Sequence, residues 1–314
     1  MSSAPTASAG TSPIGAPHPP LTGQPAVDGL VATLDLTEVQ PDVYDGRSPD
    51  ESLQRVFGGQ VAGQALVAAG RTVPADRPVH SLHAYFLRPG DPRVPIRYTV
   101  DRIRDGRSFT TRRVVAVQHD EPIFHLSASF QRVEQPLVEH ELPMPAVPEP
   151  EGLATFGELV APVAERIGRW ANLARPIDRR HIGNPMQREP IGDGEPAVTR
   201  VWMRADGVLP DDPLVHLCAL TFASDMTLLD AALAREGMTW GLDPVVGASL
   251  DHAMWFHRPF RADEWFLYEA DSPSASGGRA LCTGRIWSRT GRHLVTVVQE
   301  GLVRRVRAPA VQAE

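Results

Sequence analysis

The amino-acid sequence predicts an α+β fold built from two similar units, each a strongly curved antiparallel sheet wrapped round a long helix. Two observations support this prediction. Phe86–Pro89 recurs 170 residues later as Phe256–Pro259, and at that same offset, without a gap, both halves show three strand-like runs joined by tight turns. The chain of 314 residues also has room for about two domains.

The elements of the first unit follow from residue patterns. A strand is expected at Leu30–Leu36, where apolar and polar residues alternate. An apolar helix is expected at Phe57–Arg71, although it contains several glycines, which are poor helix formers. Three strands should then fill Arg93–Gln131, with turns at Asp105-Gly106 and His119–Glu121.

The second unit repeats this order. It is expected to have a strand at Val198–Ala205, a helix at Pro213–Glu236 and three strands in Asp263–Gly301, turning at Ser274–Gly278 and Ser288–Gly291. Both predicted helices are apolar nearly all round, so each needs burial against its own sheet. Two such units side by side would merge their sheets and hide their edges. This arrangement is the double hotdog.

The regions outside the two units have a different composition. The N-terminal stretch is rich in Ser, Ala and Pro and lacks the basic and apolar parts of a signal peptide. A proline-rich stretch, followed by helical spacing in Leu153–Leu173, separates the two units. The expected division is a disordered tail at 1–28, the first hotdog at 29–138, a linker with a helical segment at 139–175, the second hotdog at 176–307 and a tail at 308–314.

Composition excludes several classes of function. The net charge of −7 argues against nucleic acid or an anionic membrane surface as the main partner. All 31 basic residues are arginine, which removes the lysine of P-loop, Schiff-base and Ser-Lys chemistry. Two cysteines are too few for a disulfide framework or a zinc site, and they suit a reducing cytoplasm.

Five blocks of sequence cover both predicted helices and the strands beside them. The blocks are Arg55–Leu66, His80–Asp91, Ala223–Met226, Leu250–Phe260 and Val298–Gly301. In this order they resemble type II acyl-CoA thioesterases, and the likeness extends from about Leu30 to Arg305.

The resemblance implies a function and a site. Members of that family hydrolyse acyl-CoA thioesters with an Asp, a Thr or Ser, and a Gln, which here correspond to Asp225, Ser249 and Gln299. The family needs no metal or other cofactor, and its members tend to associate, so a homo-oligomer that acts on acyl-CoA in the cytoplasm is expected. Position 249 is more often Thr in the family; serine keeps the hydroxyl but loses the methyl group that restricts its rotamer.

Thioester hydrolysis explains these residue types without reference to the family. The reaction needs a positioned water, a group to take its proton, and donors for the developing oxyanion. A carboxylate can act as the base, while an amide and a hydroxyl hold a water without adding charge. The structural alternative is that Asp225 only caps an interrupted helix.

The repeat predicts one chemical site per chain. Phe57–Ala75 contains no carboxylate, and the offset of 170 matches Ser249 to Val79 and Gln299 to Ser129. The first half is therefore expected to bind substrate. The backbone N–H groups of residues 58–60, near the start of the first helix, are candidates for contacting the thioester carbonyl. These residues are Gly58, Gly59 and Gln60; alternatively, the two glycines only permit close packing.

Other polar residues are weaker candidates. Asp251 and His252 are adjacent on a predicted strand and should face opposite ways, so a structural role is favoured for His252. Arg88 and Arg258 recur at matching places, which also favours a structural role. Five arginines around the Asp105-Gly106 turn suit either CoA phosphates or a solvated hairpin: Arg102, Arg104, Arg107, Arg112 and Arg113.

Two other functions remain open at this stage. One is a non-catalytic acyl-CoA-binding or sensing protein on the same scaffold. The other is a hydratase, which would need an Asp–His pair, and Asp251-His252 is the only nearby pairing.

Overall fold

A computed structural model describes residues 20–49, 54–191 and 197–306. One 13-stranded antiparallel sheet runs through both halves in the order β1-β2-β4-β5-β6-β3-β10-β13-β12-β11-β8-β7, with β9 added beside β13. The first-half strands are β1 (Thr37–Gln40), β2 (Val43–Gly46), β3 (Val79–Phe86), β4 (Ile96–Asp105), β5 (Phe109–Gln118) and β6 (Glu121–Gln131). The second-half strands are β7 (Ile177–His181), β8 (Val198–Ala205), β9 (Val245–Ser249), β10 (Asp251–Phe256), β11 (Phe266–Ser276), β12 (Arg279–Ser288) and β13 (His293–Arg305).

Six α-helices accompany this sheet in the described part of the chain. They are α1 (Gly23–Leu34), α2 (Gly58–Gly70), α3 (Phe156–Val160), α4 (Ala164–Ile167), α5 (Pro213–Ser224) and α6 (Asp230–Ala234). The two halves join where β3 pairs with β10, from Tyr85 opposite Asp251 to Ser81 opposite Trp255. The predicted double hotdog is confirmed, as are the three-strand meander of each half and the long helix of the first half.

The helices α2 and α5 lie against each other in the core. Every residue of α2 from Gly59 to Ala69 is buried. A Cβ built on Gly59 would lie 2.3 Å from the carbonyl oxygen of Phe222, and one on Gly63 would lie 3.2 Å from that of Cys218. Residue numbers therefore rise along α2 in the direction in which they fall along α5, so the two helices are antiparallel. The start of α2 meets the end of α5.

The predicted strand at Leu30–Leu36 is wrong, and so is the extent of the N-terminal tail. The helix α1 begins at Gly23, inside the region 1–28 that was expected to be disordered; residues 1–19 lie outside the described residues. The residues α1 buries are Ala26, Val27, Leu30 and Leu34, which is helical spacing. The apparent alternation came from a window too short to include Ala26 and Val27.

The strand β8 does not correspond to Leu30–Leu36. It pairs with β11, just as β2 pairs with β4, so its counterpart in the first half is β2. That short strand lies within the stretch after Pro41 for which no strand was predicted.

The expected gapless repeat is also wrong by one residue. Phe86 pairs with Phe124 in the first half, whereas Phe256 pairs with Val295 in the second. The offset therefore grows from 170 to 171 on β13, because the paired residues Trp287 and His293 are six positions apart, whereas Val117 and Pro122 at the equivalent turn are five apart. A shift of one residue reverses which face of a sheet a side chain occupies.

The linker is held against the second hotdog. Four of its carboxylates pair with arginines of that half, at N–O distances from 2.8 to 3.4 Å; the carboxylates are Glu139, Glu141, Glu149 and Glu151, and the arginines are Arg258, Arg289 and Arg292. Trp202 and Trp287 donate from their indole nitrogens to the linker carbonyls of Pro148 and Leu142. The predicted helical segment at Leu153–Leu173 consists of α3, α4 and short 3₁₀ turns. The division into 29–138, 139–175 and 176–307 stays a prediction, and the tail at 308–314 lies outside the described residues.

The predicted helix Pro213–Glu236 is divided in two. Asp212 begins α5 as its N-cap, where its carboxylate accepts the N–H of Leu214 at 2.9 Å. The helix ends at Ser224, whose carbonyl accepts the hydroxyl of Tyr268 at 3.0 Å. That tertiary bond replaces one that a continuing helix would make, and turns follow until α6 begins at Asp230.

We predict that Gly59→Ala destabilises the fold. The new methyl group would lie 2.3 Å from the backbone oxygen of Phe222, so α2 and α5 would have to move apart, at a cost of about 1–3 kcal/mol. Thermal or urea unfolding measures this loss. In the control Gly29→Ala, on the exposed face of α1, the added Cβ meets no atom within 4 Å, and stability should rise by about 0.5–1 kcal/mol. Equal stability of Gly59→Ala and the parent would contradict the close approach of the helices.

Candidate active site

Asp225 lies at the break between α5 and α6. It is the C-cap of α5, with φ −84° and ψ −2°, and its side chain is half-buried. A carboxylate in this position needs hydrogen-bond donors to offset its loss of hydration.

Two side chains from the second half supply those donors. The hydroxyl of Ser249 donates to Oδ1 of Asp225 at 2.9 Å, and Nε2 of Gln299 donates to the same oxygen at 2.8 Å. Gln299 is fully buried. The three residues that the sequence proposed as a site are thus brought together.

Strand register explains why these donors meet. Ser249, the last residue of β9, pairs with Gly301 of β13, and Gln299 lies two residues earlier on that strand. Residues two apart on a strand share a face, so Ser249 and Gln299 both point toward the end of α5. A Cβ on Gly301 would lie 2.5 Å from the side chain of Leu229, so this glycine gives the turn after Asp225 room to pack on the sheet.

The first half contributes the start of α2. A Cβ on Gly58 would lie 2.5 Å from Oδ2 of Asp225 and 2.9 Å from the ring of Phe86. Oδ2 therefore faces the positive end of the α2 dipole, while Oδ1 receives the two side-chain donors. The site lies between the two hotdogs.

The three residues expected at the start of α2 differ in what they contact. The N–H of Gln60 donates to the carbonyl of Phe57 at 3.1 Å, and its side-chain amide donates to the hydroxyl of Ser48 at 2.9 Å. The first N–H groups of a helix have no acceptor inside it, which leaves those of Gly58 and Gly59 available. Gly59 also fulfils the alternative expectation of close packing, since its Cα faces the carbonyl of Phe222.

His252 belongs to the same hydrogen-bond network. Its Nδ1 lies 3.0 Å from Oε1 of Gln299, and its Nε2 lies 2.8 Å from the hydroxyl of Ser224. Burial lowers the pKa of His252, and the nearby charge of Asp225 opposes this shift only in part, so the imidazole is neutral at pH 7. The structural role favoured for His252 from the sequence did not include this contact, because the register of β10 against β13 cannot be deduced from strand patterns alone.

Other candidate residues lie away from Asp225. Asp251 accepts the N–H of Glu300 at 2.7 Å and faces away from His252, which is buried, as the strand alternation predicted. Arg88 and Arg258 each donate to a backbone carbonyl of a neighbouring strand segment, at 2.7 and 2.8 Å. The two arginines thus make equivalent hydrogen bonds in the two halves, which fits the structural role expected from their matching places in the repeat.

The arginines around the Asp105-Gly106 turn are largely engaged within the first hotdog. Three of them form ion pairs of 2.6 to 2.9 Å with carboxylates; the pairs are Arg102–Asp42, Arg112–Asp105 and Arg113–Asp101. Arg112 also donates to the hydroxyl of Thr72, beyond the last residue of α2. This group therefore lies at the opposite end of α2 from Asp225.

The described residues contain no group of three or more His, Cys, Asp or Glu side chains placed to hold a metal ion. Over the same residues, no helix combines the length and the apolar character needed to cross a bilayer.

Comparison with family models decides the classification. Residues 47–131 match an acyl-CoA thioesterase N-terminal domain, and residues 146–303 match an acyl-CoA thioesterase C-terminal domain. The chain belongs to the acyl-CoA thioesterase family. The resemblance to its type II members is confirmed, and with it the expectation of a thioester hydrolase.

Individual relatives agree with this assignment. The chain is 42% identical to acyl-coenzyme A thioesterase 8 of Mus musculus over 287 residues, which cover 88% of each protein. It is 43% identical to an acyl-CoA thioesterase II of known structure from Mycobacterium marinum, with a TM-score of 0.72 over 90% of this chain and 99% of that one. A hot dog fold protein from Alicyclobacillus acidocaldarius, at 22% identity and a TM-score of 0.69 over 90% of this chain and 99% of that one, shares the fold.

We predict that Gly58→Ala impairs turnover more than stability. The methyl group would lie 2.5 Å from Oδ2 of Asp225, so the carboxylate would turn and lose its alignment with Ser249 and Gln299. Displacement on this scale should lower kcat by about tenfold to a hundredfold. The measurement is thiol release from an acyl-CoA, with Gly29→Ala as the control that keeps the parental rate. An unchanged kcat in Gly58→Ala would show that the position of Oδ2 does not matter.

Proposed function

We propose that Asp225, Ser249 and Gln299 are the catalytic residues of acyl-CoA hydrolysis, with Asp225 as the base that activates water. The observation that carries this proposal is the convergence of two neutral donors on one oxygen of a half-buried carboxylate. Those donors fix the direction of the carboxylate and leave the lone pairs of Oδ2 for the water proton.

In the proposed hydrolysis a carbon–oxygen bond and a sulfur–hydrogen bond form, while a carbon–sulfur bond and an oxygen–hydrogen bond of water break. The water oxygen bonds to the acyl carbon while Oδ2 of Asp225 takes a water proton, and the carbonyl oxygen becomes the oxyanion of a tetrahedral intermediate. The intermediate collapses by breaking the carbon–sulfur bond, and the departing CoA sulfur takes the proton that Asp225 holds. The products are a carboxylic acid and a thiol, and the carboxylate is restored.

The start of α2 is the proposed oxyanion site. The N–H groups of Gly58 and Gly59 open this helix, and Gly58 lies beside Oδ2. A carbonyl held there would place its carbon near the water at Asp225, and its developing charge would face the positive end of the helix dipole. Gln60 supports this arrangement by tying the helix to Ser48, and the role of all three residues in binding substrate is part of the proposal.

The repeat supports a single site in each chain. With the corrected offset, Gln299 corresponds to Ala128, while Ser249 corresponds to Val79 as expected. Both first-half residues are apolar and buried, so the first hotdog offers no equivalent donors.

We predict that Asp225→Asn abolishes most turnover while acyl-CoA binding persists. The amide keeps the shape of the carboxylate but cannot take the water proton. The measurements are thiol release from a panel of CoA thioesters of different chain length, including palmitoyl-CoA, and binding of the same thioesters by calorimetry. The matched control is Asp28→Asn, the same substitution at an exposed position on α1.

Two outcomes of these measurements would contradict the proposal. Parental turnover by Asp225→Asn would exclude Asp225 as the base. Binding without thiol release by the parent protein would favour the sensing alternative, and hydration of crotonyl-CoA, followed by absorbance, would favour a hydratase.

We predict a graded response at the two donors. Gln299→Ala removes a fully buried amide from the carboxylate and should lower kcat by about a hundredfold, as for a misaligned catalytic group. Ser249→Ala should also lower kcat, whereas Ser249→Thr keeps the hydroxyl and should stay close to the parent. Equal rates for the alanine and threonine variants at position 249 would show that the hydroxyl has no role.

A homo-oligomeric state and a cytoplasmic location, both predicted from the sequence, are part of this proposal. The substrate panel determines which acyl chain the enzyme prefers.

A further inference from the structure

We propose that His252 is a positioning residue that fixes the orientation of the Gln299 amide, so that its NH₂ group and not its oxygen faces Asp225. This inference rests on the proposed function, because it concerns how one of the proposed catalytic groups is held.

The hydrogen-bond geometry distinguishes the oxygen of the Gln299 amide from its nitrogen. His252 of β10 lies across from Gln299 of β13 in the same register that pairs Ala253 with Val298. The distance from Nδ1 of His252 to Oε1 of Gln299 is 3.0 Å, and that from Nε2 of Gln299 to Oδ1 of Asp225 is 2.8 Å. An N–H on Nδ1 therefore satisfies the amide oxygen while the amide nitrogen donates to the carboxylate.

Without that donor, only the carboxylate of Asp225 would favour one orientation of the amide. The two ends of a primary amide have nearly the same size, so packing cannot distinguish them. A half-turn about the last side-chain bond would point Oε1 at the carboxylate, and two electron-rich oxygens would face each other. Gln299 is fully buried, so water cannot compensate for the wrong orientation.

The imidazole is itself held at its other nitrogen. Nε2 of His252 lies 2.8 Å from the hydroxyl of Ser224, the residue that precedes Asp225. In a neutral ring with its hydrogen on Nδ1, Nε2 is an acceptor, so the single hydroxyl hydrogen of Ser224 points to Nε2 and not to the carbonyl of Thr221, which also lies 2.8 Å away. The contacts thus form a closed circuit from Asp225 to Gln299, His252, Ser224 and back along the chain to Asp225.

The first half shows that the fold does not need this pair. With the corrected offset, His252 and Gln299 correspond to Leu82 and Ala128, which face each other in the same register. Both are buried apolar residues. The same strand positions thus pack well without a polar pair, and the histidine accompanies the half that holds the carboxylate.

The test compares two amide substitutions. In His252→Asn the side-chain nitrogen can take the place of Nδ1 and still donate to Gln299. In His252→Gln it takes the place of Nε2 and reaches Ser224 instead. We expect the asparagine variant to retain most of the parental kcat and the glutamine variant to lose about tenfold to a hundredfold, as for a misaligned catalytic group, with little change in KM. Equal kcat values for the glutamine variant and the parent would overturn the inference.

A double-substitution cycle separates this inference from the proposed function. If His252 acts through Gln299, His252→Gln should cause no further loss of kcat in a Gln299→Ala background. The same fold loss in both backgrounds would show that His252 acts independently and would overturn the inference. A parental rate in Gln299→Ala alone would instead overturn the proposed role of Gln299.

Nitrogen-15 NMR of the parent protein tests the inference even if a His252 variant does not fold. It distinguishes a protonated from an unprotonated Nδ1 of His252. We expect Nδ1 to carry hydrogen at neutral pH. A neutral ring with its hydrogen on Nε2 would overturn the inference, since Oε1 of Gln299 would then have no donor.

Discussion

The close antiparallel contact between α2 and α5 is the constraint on which the rest of the site depends. It brings the start of one helix to the end of the other, so a positive dipole end from the first hotdog lies beside a carboxylate from the second. The contact is possible only because Gly59 offers no side chain toward the carbonyl of Phe222. A bulkier residue would separate the helices and withdraw Gly58 from Asp225. The fold and the site therefore share one packing requirement, and the two hotdogs need each other to complete it.

The polar network around Asp225 lies inside the apolar core of the protein. A single apolar core continues through both hotdogs, and the fully buried Gln299 and the nearly fully buried His252 lie among its side chains. Buried polar groups are costly unless they are hydrogen-bonded, and a fully connected set is rigid. Here Gln299 hydrogen-bonds to both Asp225 and His252, and His252 also contacts the hydroxyl of Ser224. The rigidity supports our view that the carboxylate is aimed before substrate arrives, so little reorganisation accompanies the reaction.

The two halves of the repeat differ at the positions that face the site. Each half supplies a buried helix and a set of strands, yet the helix of the first half has no carboxylate, and its strands carry Val79, Leu82 and Ala128 where the second half has Ser249, His252 and Gln299. The first half instead has glycines at the start of α2, where backbone must approach the partner helix. At the three strand positions, the second half thus has a polar side chain where the first half has an apolar one.

The sequence by itself determined the duplicated unit and the meander strands, because hydrophobic period and turn residues are local properties. The three residues proposed for the site came from the resemblance to type II acyl-CoA thioesterases. The sequence could not determine that α1 extends through Leu34, since that helix is recognisable only from residues before the alternating stretch. Only the tertiary structure decided which side chains meet. One extra residue ahead of β13 shifts the repeat offset and reverses the facing of every later position, so the counterpart of Gln299 changed from Ser129 to Ala128. The break after Ser224 likewise depends on a hydroxyl from Tyr268, which is distant in the chain. Contacts of this kind arise from strand register and packing, which no local pattern records.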